Sequence, residues 1–171
     1  MTPEFSRPIP LEEIGEREVV RDIEASADER AALSKRFGLL SLGLLKAHVR
    51  LNWVQGRKLL KLTGAFEAEV EQACVVTLDP VHDHIAEKLD LLFERPAKGA
   101  ETGDRTIEVM SVEDAEPLPP HELDIGEVVA EELALSLNPY PRKPEASFGA
   151  DKTGERGPSP FDVLARLKRT N

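Results

Sequence analysis

The sequence predicts an α+β fold: an antiparallel β-sheet, barrel-like if its edges meet, with two packed helices and a tethered short C-terminal helix. Three observations carry this expectation. Apolar and polar residues alternate with period two from Lys46 to Trp53 and again from Phe66 to Glu71. Two capping-box spacings, Ser26-x-x-Glu29 and Asp124-x-x-Glu127, mark helix starts. Beyond residue 137 the chain turns rich in proline, glycine and charge. The organisation expected is one α+β domain over 1–137, a flexible linker over 138–158 and a short helix over 159–171.

Glu18 to Ala25 reads as a short strand. Ser26 opens the first helix and Gly38 stops it, with Leu33 and Phe37 four apart on the face turned to the core. Lys46 to Trp53 is a strand with Ala47, Val49, Leu51 and Trp53 on one face and Lys46, His48, Arg50 and Asn52 on the other. Gln55-Gly56, taken as a two-residue turn, leads into a strand from Lys58 to Phe66. That register sets Leu51 opposite Leu60, Val49 opposite Leu62 and Arg50 opposite Lys61. Facing like charges repel by roughly 0.2–1 kcal/mol, a cost that a bound anion would remove. Gly64 is read as a bulge. After a turn at Leu78-Asp79-Pro80-Val81, the positions Ile85, Leu89, Leu91 and Phe93 give the returning strand.

Residues 94–105 read as a polar loop, Thr106 to Met110 as a further strand, and Val112 to His121 as another loop. Asp124 then caps a helix reaching about Leu137, with Ile125, Val129, Leu133 and Leu137 as its buried stripe. Asn138-Pro139 ends it. Ser159 and Pro160 open the terminal helix, whose Phe161, Leu164 and Leu167 form a narrow apolar stripe.

The chain has 171 residues, 40% hydrophobic and 32% charged, enough to bury a core. No apolar run approaches the roughly 20 residues of a membrane span, and the start carries no signal-peptide pattern. The single cysteine, Cys74, excludes an internal disulfide and suits a reducing cytoplasm. The expected location is therefore cytoplasmic, with no membrane partner.

The net charge of −10 argues against a nucleic-acid partner only until its distribution is considered. Residues 30–66 contain eight Lys and Arg and no Asp or Glu, a local charge of +8. Residues 67–137 carry −15. Lys46, His48, Arg50, Arg57, Lys58 and Lys61 are accordingly the candidates for contacting RNA phosphates. A solvated strand face is the plainer reading of the same residues. Glu67, Glu69 and Glu71, three acids at period two, are the candidates for docking a basic partner.

No catalytic constellation is present. Cys74 lacks an evident base and oxyanion hole, although His82 and His84 follow it, and its phase with Phe66, Ala68 and Val70 suggests a small core residue. There is no phosphate-binding glycine loop. A non-enzyme without cofactor or small-molecule substrate is expected.

Three strips resemble one known family. They are Glu71-Gln72-Ala73-Cys74-Val75-Val76-Thr77-Leu78-Asp79-Pro80, then Asp124 to Leu137 followed by Asn138-Pro139-Tyr140-Pro141, and finally Ser159-Pro160-Phe161-Asp162-Val163-Leu164-Ala165-Arg166-Leu167-Lys168. In this order they resemble the YceD family, the large ribosomal RNA subunit accumulation proteins. The resemblance implies a bacterial, non-catalytic factor supporting accumulation or maturation of large-subunit ribosomal RNA. Its implied partner is precursor RNA or an assembling large-subunit ribosomal protein. Many members carry Cys-x-x-Cys at the turn, suited to zinc when later cysteines complete it. Here Thr77 takes the second position and no other cysteine exists, so no metal is expected. Two further readings remain. One is an adaptor binding a basic ribosomal or processing factor through the acidic face, and the other is a hydrolase acting on RNA. The Phe161, Leu164, Leu167 stripe suits either packing on the domain or docking on a partner.

Overall fold

The computed structural model describes residues 3–95 and 115–146. The expected strand Thr106 to Met110, most of the 94–105 loop, and the terminal helix with Phe161, Leu164 and Leu167 lie outside the described residues.

The architecture is α+β. A five-stranded sheet has the order β2 (Val19–Glu24), β3 (Ser41–Val54), β4 (Leu59–Ala73), β5 (Pro80–Glu94) and β6 (Ala115–Pro117). Its first four strands are antiparallel neighbours, and β6 runs parallel to β5. β1 (Pro8–Pro10) pairs separately with β7 (Glu122–Asp124). Among the described residues β2 and β6 are the edges of the large sheet, so its strands do not close into a barrel. The region read as a loop from Val112 to His121 contributes β6, a strand too short and too rich in proline and acid to show a pattern.

The helix α1 (Ala27–Phe37) forms where expected. Ser26 Oγ accepts from the Glu29 amide, the Glu29 carboxylate accepts from the Ser26 amide at 2.7 Å, and Gly38 closes the helix at φ 68°. Helix α2 (Ile125–Ser136) is capped by Asp124, whose Oδ1 accepts from the amides of Gly126 and Glu127. The same carboxylate takes the Arg7 amide at 2.6 Å and the Ser6 hydroxyl, so one side chain starts a helix and pins the N-terminal segment.

That segment belongs to the core. Phe5, Ile9, Leu11 and Ile14 join Leu33 of α1, Val129 and Leu133 of α2, and Leu45, Leu51, Leu60, Leu62 and Phe66 of the sheet in one apolar cluster. No described polar or charged residue is buried. The opposite face of the sheet carries the polar residues, as period-two alternation requires.

The β3–β4 register departs from the expected one by two positions. Val54 pairs with Leu59, Leu51 with Leu62, Val49 with Gly64, and Arg50 with Thr63. The turn therefore spans residues 55–58, with Gln55, Gly56 and Arg57 all at positive φ. A slip of two keeps every side chain on its own face, so the alternation could not distinguish the two registers. Lys61 consequently lies opposite Asn52, and the expected Arg50–Lys61 repulsion does not exist.

The bulge is also elsewhere. The register shift falls between Leu42 and Leu44, at Gly43, whereas pairing runs unbroken through Gly64. Gly64 is required for close approach: a Cβ there would stand 2.0 Å from the His48 carbonyl oxygen.

Candidate functional site

Four of the six RNA candidates have polar side-chain partners within the fold. Lys46 Nζ meets Glu67 at 2.9 Å, which holds the ammonium above and the carboxyl below its ordinary value. Lys61 meets Asp90 of β5 at 3.0 Å. His48 Nδ1 lies 2.7 Å from Asp22 of β2, and Arg50 Nε donates to His48 Nε2 at 3.3 Å. The +8 stretch is thus threaded between acidic residues of its neighbours, and Lys46 and Lys61 face carboxylates that are distant in sequence. These pairs are solvent-accessible and worth about 0–1 kcal/mol each.

The closed end of the β3–β4 hairpin differs. Arg57 lies 5.5 Å from the centroid of the Trp53 ring and Arg95 lies 4.7 Å from the same centroid. Trp53 is held by its own Nε1, which donates to the Ile14 carbonyl at 2.6 Å, and Arg57 donates to that carbonyl at 3.1 Å. The Arg95 amide bonds the Lys58 carbonyl at 3.1 Å, bringing Lys58 to the same corner. Among the described residues none of Arg57, Lys58 and Arg95 has a carboxylate within ion-pair distance. Beside them a cavity of about 610 Å³ is lined by both arginines, His121, Glu12 and Glu122 among others. Arg95 was missed in the sequence because it stands outside the acid-free run.

At the far end of β4 the acidic candidates divide. Glu67 is engaged by Lys46. Glu71 accepts from Ser41 Oγ at 3.0 Å and lies 3.3 Å from His82 Nε2. Glu69 is exposed and, like Asp83, has no cation within ion-pair distance among the described residues. With Ser41, Gly43, His82 and His84 these acids line a shallow cleft of about 490 Å³.

Cys74 is wholly covered, yet it stands apart from the apolar cluster, just past the end of β4. Its own turn and the segment from Asn138 to Lys143 meet around it. The Val75 amide donates to Pro141 at 2.9 Å, and Gln72 Nε2 to Asn138 at 3.0 Å. The Thr77 hydroxyl and the amides of Lys143, Thr77 and Val76 point at the sulfur and pull the thiol down to about 6. Thr77 thus serves the thiolate as a donor where a zinc site would need a second sulfur. Among the described residues no group of three His, Cys, Asp or Glu side chains is placed to hold a metal, so this donor set does not fit zinc. No described helix is long and apolar enough to cross a membrane.

Residues 62–168 match the family model described as large ribosomal RNA subunit accumulation protein YceD. The matched range contains Glu67, Glu69, Glu71 and Cys74, whereas Lys46, His48, Arg50, Arg57, Lys58 and Lys61 precede it. Neither the curated proteins nor the solved structures yield a match.

Proposed function

The chain belongs to the YceD family, the large ribosomal RNA subunit accumulation proteins, and we propose that it acts in large-subunit biogenesis as a non-catalytic factor that binds precursor ribosomal RNA. The observation that carries the binding mode is the Trp53 corner. Two guanidinium groups approach one indole, and a lysine stands beside them, with no carboxylate pairing any of the three among the described residues. Cations outside an ion pair attract phosphate at the least cost, because no existing pair must first be broken. Guanidinium stacked on an aromatic ring keeps its donors at the rim, where a phosphate or a splayed base can reach them.

The reading is tested by titrating the full chain with fragments of large-subunit ribosomal RNA at several salt concentrations. Arg57→Gln, Lys58→Gln and Arg95→Gln together should weaken binding across sequences. The log–log salt slope should fall by about 0.7–0.9 for each phosphate that the variant no longer neutralises. Unchanged affinity and slope with the fold intact would reject the corner, and no binding by the unaltered chain would reject RNA contact altogether.

A further inference from the structure

The turn between β4 and β5 presents apolar side chains to solvent where a turn is ordinarily polar. Leu78 is 77% exposed, Val75 49%, Leu40 52% and Tyr140 76%. Four of the six exposed large hydrophobic residues therefore gather at this end of the described structure. The backbone connects them. Leu40 donates to Glu71 at 2.8 Å, Val75 to Pro141 beside Tyr140 at 2.9 Å, and Leu78 to Cys74 at 2.9 Å. Lys143 meets Asp79 at 3.2 Å and fixes the segment after α2 against the turn.

Leu78 also adopts φ 61°, a left-handed conformation that a leucine rarely takes. Glycine or asparagine would sit there without strain and without exposing an apolar side chain. The fold thus accepts both backbone strain and exposed apolar area at one residue, a combination characteristic of binding surfaces.

We propose that this tip, Leu40, Val75, Leu78 and Tyr140, is a docking surface for a basic protein segment that carries an apolar anchor side chain. Charge complementarity selects the occupant. Glu69 and Asp83, neither with a cation within ion-pair distance among the described residues, line the cleft that begins within about 10 Å of the turn along β4 and β5. Cations of the segment reach these acids while its anchor covers Leu78. Backbone phosphates would meet the same acids as repulsion, which disfavours RNA here. The surface stands at the opposite end of the 15-residue β4 from the Trp53 corner, on the order of 45 Å away along the strand. It does not rest on the RNA reading.

The test uses the full chain, immobilised, with large-subunit ribosomal proteins purified singly and treated with RNase. At least one basic protein is expected to bind. Leu78→Gly should weaken that binding about tenfold, as removal of a central anchor does, while the melting temperature holds or rises because the strain is relieved. Glu69→Gln with Asp83→Asn should weaken it too and flatten its salt dependence. Three results would overturn the proposal: no protein bound, binding indifferent to Leu78→Gly, or RNA oligonucleotides displacing the protein from the tip. Self-association abolished by Leu78→Gly would assign the patch to a second copy. Binding by Phe161→Ser with Leu164→Ser alone, and none by the parent, would assign it to the chain's own C-terminal segment. Either assignment also overturns it.

Discussion

Arg36 and Glu127, 91 residues apart, meet in a two-point ion pair with Nη1 to Oε2 at 3.0 Å and Nη2 to Oε1 at 2.6 Å. Arg36 also reaches Glu4 at 3.1 Å. One guanidinium on the last turn of α1 thereby links that helix to the first turn of α2 and to the N-terminal segment. The arrangement suits both helix dipoles, with a cation at a C-terminus and an anion at an N-terminus.

A double-mutant cycle of Arg36→Ala and Glu127→Ala should give a coupling of about 0.5–1 kcal/mol, since the pair is bidentate but solvent-accessible. Urea unfolding at low and high salt measures it, and the coupling should shrink as salt rises. A coupling of zero at low salt would mean the pair is only geometric.

Gly64→Ala should destabilise by on the order of 3 kcal/mol or more, because its Cβ would stand 2.0 Å from the backbone oxygen of His48 and two paired strands would have to separate. Gly43→Ala, whose Cβ would meet Glu69 no closer than 3.4 Å, should stay within about 1 kcal/mol of the parent. Equal effects at the two sites, read as shifts in melting temperature, would contradict the register described.

The Cys74 thiol lies at about 6 in the folded chain against an ordinary 9.0, held down first by the Thr77 hydroxyl. A lowered acid contributes stability that is complete above its unfolded value and lost as pH falls through its folded value. The parent should therefore gain stability over Cys74→Ala between pH 6 and pH 9, followed by melting temperature. Thr77→Val should diminish the gain. Chelation should leave the melting temperature unchanged, and elemental analysis should find no stoichiometric zinc.

Glu29, bonded by both Nη atoms of Arg7 at 2.7 and 3.0 Å, is lowered to about 2 from 4.5. Its contribution is present above about pH 4.5 and disappears as pH falls through 2. Arg7→Gln should make the chain unfold at a higher pH during acid titration. An unchanged acid midpoint would show that other carboxylates dominate.

Lys46→Gln with Lys61→Gln should reduce RNA affinity less than the Arg57, Lys58, Arg95 set. Both lysines already hold carboxylates, Glu67 and Asp90, that phosphate would have to displace. A larger drop in affinity from the lysine pair, at constant salt, would move the RNA site to the middle of the sheet.

Elements with local causes were legible in the linear chain. Ser26 with Glu29 and Gly38 bounded α1, Asp124 capped α2, and the alternation from Lys46 to Trp53 assigned every side chain of β3 to its face. These depend on spacings of two to four residues, which a linear reading resolves. Glu71 to Pro80 and Asp124 to Pro141 likewise carried the family resemblance.

Whatever depends on residues far apart was settled by folding. Packing paired Lys46 with Glu67 and Lys61 with Asp90, so the acid-free run is not an uncompensated basic face. It brought Arg95 to Trp53, and it took Glu127 from its expected capping box to Arg36. It also drew Phe5 and Ile9 into the core through a strand of proline and isoleucine too short to show a period. The β3–β4 register belongs here as well, since a shift of two leaves the buried pattern unchanged and only the conformation of residues 55–58 selects between the alternatives. Local spacing specifies which face a side chain occupies. Only strand register and packing specify which charge it meets there.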